Sequence, residues 1–164
     1  MGQVTLLGLG NILLSDEGVG VWAVREVARR FRLPAAVEVV DGGTAGLDLL
    51  PYVEDREHLL VVDAVQFQRE PGFVGWLEGE EVLAGGGAQA SLHHLGLREV
   101  LGAARLLDRA PREVLLLGVQ PHSLATGVGL SPCLQARLPA VVAEIISRLT
   151  AWGYPPLGPA EPGG

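Results

Sequence analysis

Three short runs constrain this chain more than anything else in it: Val4 to Leu9, Leu59 to Val65 and Val114 to Val119. Each has the length of a strand, and each is apolar almost throughout instead of alternating with polar residues. Such runs need cover on both faces, as in a parallel sheet flanked by helices. They are far too short to cross a membrane as helices. The segments between them have helical character. Val19 to Phe31 sets Val19, Trp22, Ala23, Val27 and Phe31 at near-helical spacing, with Arg25, Glu26, Arg29 and Arg30 among them. Leu95 to Leu107 forms a second helix. Ser131-Pro132 opens a third, with serine as N-cap and proline in the first turn, running to about Trp152.

Val37 to Val40 adds a strand that ends at a turn, Asp41-Gly42-Gly43-Thr44. Phe73 to Glu78 reads as an edge strand. The expected architecture is α/β: a three-layer α/β/α sandwich around a mostly parallel, twisted sheet of about five strands, of the phosphorylase/hydrolase-like kind. Residues 1–153 are expected to form one domain. The remainder, rich in proline and glycine, reads as a disordered tail over 154–164.

Composition narrows the chemistry. The twelve basic residues are all arginine, which excludes lysine nucleophiles and Schiff bases. A single cysteine, Cys133, rules out an internal disulfide or thiolate cluster and suits a reducing, cytoplasmic setting. The N-terminus has no basic region before its first strand and does not read as a signal peptide. A net charge of −7 disfavours nucleic acid and anionic membrane as partners.

The informative polar residues follow the carboxyl ends of the expected strands, where open α/β sheets bind ligands. Gly8-Leu9-Gly10 followed by Asp41 resembles part of a dinucleotide fingerprint, but Leu13 occupies the place of its third glycine. The acidic Ser15-Asp16-Glu17-Gly18 loop would also oppose a pyrophosphate. Asp16 and Glu17 lie where a helix dipole stabilises acids, so capping is their simplest role. Asp63 interrupts an apolar run, and a buried carboxylate is costly unless it is paired or coordinated. Asp41 fits an Asx-type turn equally well. His58 starts a strand and reads as a surface residue, while His93-His94 precedes a helix. Together Glu17, Asp63 and His93 would offer two oxygen ligands and one nitrogen to a divalent ion.

The segments GLGNILLSDEGVGV, DGGTAGLDLL, LLVVDAV, SLHHLGL and GVQPHSLATGVGLSP, in this order, closely resemble the hydrogenase maturation endopeptidases. The likeness extends over about residues 4–150. It implies a single-domain α/β peptidase that removes a C-terminal extension from a nickel-iron hydrogenase large-subunit precursor after nickel insertion. Residue by residue, it implies Glu17, Asp63 and His93 as metal ligands, and it associates the Asp41 to Thr44 turn with recognition or cleavage. Asp41 and Asp63 are the expected catalytic carboxylates. Hydrolysis by metal-activated water and by carboxylate acid-base chemistry both stay open. The expected cofactor is nickel brought by the substrate, with another divalent cation able to substitute. His94 and His122 depart from the glutamine or glutamate common in the family. The alternatives are a non-cleaving nickel-site sensor or chaperone, and a peptidyl-tRNA hydrolase-like esterase that shares the strand-then-GLGN opening.

Overall fold

The computed structural model describes residues 3–83, 90–91 and 94–161. Its centre is a sheet in which β3 (Val37–Gly43), β1 (Val4–Leu9), β4 (His58–Gln66) and β7 (Glu113–Val119) run parallel in that order. The edge strand β5 (Val74–Glu78) closes the row, antiparallel to β7. Two residues of β6 (Ala90–Ser91) pair antiparallel with the end of β4, Ser91 opposite Val65.

Helices cover both faces, and the pleat decides which residue meets which layer. Leu6, Leu60, Val62 and Leu117 pack with α1 (Val19–Arg30) and α5 (Pro132–Ala151). Their neighbours Leu7, Leu59, Val61 and Leu116 point the other way, toward α2 (Leu50–Val53), α3 (Glu80–Leu83) and α4 (His94–Leu106). Successive strand residues face opposite sides of a sheet. Because both sides are dry here, the strands have no polar alternation. The α/β sandwich expected from the apolar runs is the observed architecture.

The N-cap of α5 is Ser131, whose side chain accepts from the Leu134 amide, and Pro132 occupies the first turn. Pro139 lies inside that helix.

Two local expectations are corrected. Asp41-Gly42-Gly43 is not a turn but the end of β3, with a bulge that sets Gly8 opposite Asp41 and Leu9 opposite Gly43. The chain turns afterwards, where the Ala45 amide bonds to the Gly42 carbonyl at 3.0 Å. The segment read as a disordered tail is ordered through residue 161: β8 (Gly158–Pro159) pairs with β2 (Phe31–Arg32), just past the end of α1. The Leu157 amide donates to Arg32 O at 2.8 Å and that of Ala160 to Arg30 O at 3.0 Å. Backbone groups of β2 supply the pairing that the tail's composition lacks.

Candidate functional site

Parallel strands bring their carboxyl ends to one edge, and the polar residues expected there do gather on it. After β1 the chain turns at Gly10, which has φ +132°, and then forms a 3-10 turn over Ser15–Gly18 that leads into α1. The glycines of this segment permit close packing. A Cβ on Gly10 would lie 2.0 Å from Glu17 O, and one on Gly8 would lie 2.5 Å from Gly20 O. The acidic turn is thereby seated directly on the strand tips, in the position where a dinucleotide site would need open space for phosphate.

Asp63, near the end of β4, is fully buried. Its Oδ1 accepts from the Ala64 amide at 2.8 Å. The Ser15–Gly18 turn packs against β4, so half-buried Glu17 belongs to an element in contact with the strand that carries Asp63. Two carboxylates on touching elements are hard oxygen donors of the kind that suit a divalent ion. Of the expected third ligand the structure says nothing, because His93 lies outside the described residues. The same holds for the side chain of His94. Among the described residues, no three histidine, cysteine or acidic side chains cluster as a metal site.

Asp41 stands farther along the edge and is paired with Arg25 of α1. Arg25 Nε and Nη2 both bond to Asp41 Oδ2, at 2.9 and 2.6 Å. The pair borders a cleft of about 320 Å³ whose walls include Asn11, Ile12, Leu13, Gly43 and Thr44. Nothing in the sequence singles out Arg25, which reads as one charged residue on the solvent face of an amphipathic helix.

Asp16 corrects a simpler expectation. The capping role read from its position is absent, since no side chain caps the turn. Its carboxylate is fully buried and receives hydrogen bonds from a distant segment. Oδ2 accepts from the amides of His122 and Ser123, at 2.9 and 3.0 Å, and from Ser131 Oγ at 2.7 Å. Oδ1 accepts from the Ser131 amide at 2.8 Å. Burial alone would raise the pKa of Asp16. The donors, led by the Ser131 and Ser123 amides, outweigh burial and hold it below the ordinary carboxylate value.

Gln120 plays a comparable part at the end of β7. Its Oε1 accepts from the Phe67 amide at 2.7 Å, and its Nε2 donates to Gln66 Oε1 at 2.9 Å, which orders the chain just after β4. The imidazole-bearing residue His122 is exposed, and its amide serves Asp16. His58 lies at the opposite end of β4, stacked on Trp152 with ring centroids 4.2 Å apart and bonded to Glu113 at 2.9 Å. It takes no part in the strand-tip site. Cys133 is exposed at the start of α5, with Sγ 3.4 Å from Pro71 O.

Comparison with known proteins identifies the family. A family model described as hydrogenase maturation protease (HycI) matches residues 21–148. The chain is 39% identical over 152 residues to the hydrogenase 2 maturation protease of Escherichia coli K12, covering 92% of this chain and 93% of that one. It is 40% identical over 153 residues to the hydrogenase expression/formation protein HupD of Rhodobacter capsulatus, covering 92% and 73%. Among solved structures, the hydrogenase maturating endopeptidase HybD of E. coli superposes with a TM-score of 0.89 at 38% identity, over 97% of this chain and 98% of that one.

Proposed function

The chain belongs to the hydrogenase maturation protease family and is a peptidase, and on that premise we propose that it removes the C-terminal extension of a nickel-iron hydrogenase large-subunit precursor. In this reading the nickel is part of the substrate. Glu17, Asp63 and His93 engage it, so that only a loaded precursor is cut. The observation that carries the proposal is the fully buried Asp63 near the end of the central strand β4, the strand on which the turn bearing Glu17 packs. A carboxylate held away from water is poised to gain from a cation.

Hydrolysis adds water across a peptide bond. The attacking water must give up a proton, and the leaving amine must receive one. Asp63 and Asp41 are the carboxylates proposed to move these protons, with Asp41 held at the cleft by Arg25. Nickel would supply Lewis acidity when the precursor carries it, and another divalent cation could substitute. The proposed setting is the cytoplasm, where a lone thiol such as Cys133 stays reduced. Among the described residues, no helix is long and apolar enough to cross a membrane.

The test is to incubate the protein with nickel-loaded and nickel-free precursor and follow the precursor's mass. Shortening of the loaded form alone is expected, and Asp63→Asn should abolish it. Equal cleavage of both forms would sink the checkpoint, and no shortening of either would favour a non-cleaving sensor of the metal centre.

A further inference from the structure

We propose that Asp16 is a positioning residue for the reaction: it fixes Glu17 against Asp63 by stapling the Ser15–Gly18 turn to the connection between β7 and α5. The inference rests on Glu17 engaging the substrate's metal, as proposed above.

The staple is built from both backbone and side chain. Besides the four bonds to its carboxylate, Asp16 donates its own amide to Ser123 O at 3.0 Å. The preceding residue extends the seam. Ser15 N donates to Gly127 O at 2.9 Å, Gly127 N to Leu13 O at 2.8 Å, and Ser15 Oγ to Ala125 O at 2.7 Å. Ser15 accepts a positive φ of 52° within this seam. Among the described residues, every hydrogen-bond partner of the Asp16 carboxylate lies in the segment from His122 to Ser131, and none lies in its own turn.

Glu17 follows directly and is confined from behind. The space on its far side is so small that only glycine fits at position 10, where a Cβ would come within 2.0 Å of Glu17 O. Gly18 is less tight but still closed to a side chain, with a Cβ that would lie 2.8 Å from the Ile12 Cα. The Glu17 backbone is thus clamped between the strand tip and a seam centred on a buried carboxylate that accepts four hydrogen bonds. A donor held by bonds of this kind loses little entropy when it meets its metal. The connection from 121 to 131 therefore belongs to the working site through its backbone amides and the Ser131 hydroxyl, whereas the sequence had drawn attention there to the His122 side chain.

Asp16→Asn keeps the shape but puts an N–H₂ where one carboxylate oxygen had accepted, and in either orientation it faces at least one backbone amide that can only donate, so part of the seam must open. The experiment measures kcat and KM for cleavage of the nickel-loaded precursor, well below each variant's melting temperature. It compares wild type with Asp16→Asn, Ser131→Ala, Glu17→Gln and the core variant Val27→Ala, which lowers stability without touching the seam. The expected result is a fall in kcat of roughly tenfold or more for Asp16→Asn with little change in KM. Ser131→Ala, which removes only one donor, should show a smaller fall in the same direction, and Val27→Ala should keep its kcat.

Wild-type kcat in folded Asp16→Asn, with Glu17→Gln inactive, overturns the positioning role and leaves the reading of Glu17 intact. An equal loss in Val27→Ala also overturns it, since general destabilisation would then account for the effect. Full activity in Glu17→Gln overturns the reading on which the inference rests. Should Asp16→Asn not fold, Ser131→Ala decides, and wild-type kcat there counts against the proposal.

Discussion

Gly20 of α1 and Val62 of β4 approach so closely that a Cβ on Gly20 would fall 2.0 Å from the Val62 carbonyl oxygen. The same Cβ would lie 2.5 Å from Leu9 O. Both neighbours are backbone atoms of central strands, which cannot swing aside as a side chain could. This contact seats the start of α1 on the sheet one residue before Asp63, and so sets the depth at which the acidic turn enters the site.

Gly20→Ala is therefore expected to destabilise the fold despite its better helix propensity. Alanine gains up to about 1 kcal/mol over glycine in a helix, whereas forcing a methyl into filled space costs about 1–3 kcal/mol. Backbone overlap puts this site at the upper end of that range. Urea unfolding would read the effect as a lower midpoint, and an unchanged or higher midpoint would contradict the packing argument.

Stability on the acid side should depend on Asp16. Its folded-state pKa lies below the ordinary carboxylate value because the surrounding donors outweigh burial. The stabilisation is thus fully present above the unfolded-state value of about 4, and it is lost as pH falls through the lower folded-state value. Unfolding midpoints measured from neutral pH down to about pH 2 should fall more gently for Asp16→Asn than for wild type. Parallel curves for the two proteins would contradict this assignment.

The Arg25–Asp41 pair has side chains 46% and 41% exposed, so solvent screens it and its contribution to stability should not exceed about 1 kcal/mol. Arg25→Gln should leave the melting temperature nearly unchanged. If the pair serves to hold Asp41 at the cleft, the same variant should cut precursor cleavage several-fold, and salt should weaken cleavage by the wild type. Normal cleavage by Arg25→Gln would separate Asp41 from the reaction or show that it needs no tether.

The ribbon of β2 and β8 should matter for stability alone. It lies past the carboxyl end of α1, a helix of twelve residues that spans about 18 Å from the strand-tip edge. Ending the chain after Pro156 removes the amide bonds of Leu157 and Ala160 along with the β8 pairing, a loss of about 1–2 kcal/mol. Cleavage should persist at the wild-type rate, as measured beside urea unfolding. Lost cleavage in a folded truncation would show that the ribbon reaches the site.

Local sequence was enough for the elements whose cause is local. Leu59 to Val65 is apolar because the sheet is covered on both sides, and the run itself announces that. The amphipathic spacing of Val19 to Arg30 and the Ser131-Pro132 start of α5 are readable for the same reason: hydrophobic period and capping involve residues a few positions apart. Even the gathering of Glu17, Asp41 and Asp63 on one edge follows from parallel strands, since their carboxyl ends must coincide.

What tertiary structure alone decided was how those polar groups are held. Asp16 lies 115 positions from Ser131 in the chain and bonds to it twice. Arg25 meets Asp41 only because α1 crosses the sheet beside β3, and Gly158–Pro159 becomes a strand only because Phe31–Arg32 offers it an edge. A hydrogen bond requires donor and acceptor within about 3 Å, and nothing in a residue's sequence neighbours reports which distant donor will arrive there. The apolar pattern determined the sheet, its two layers and the edge on which the acids stand. The partner of each acid, and with it the change of Asp16 from helix cap to staple, was decided when the connection after β7 folded over the opening turn.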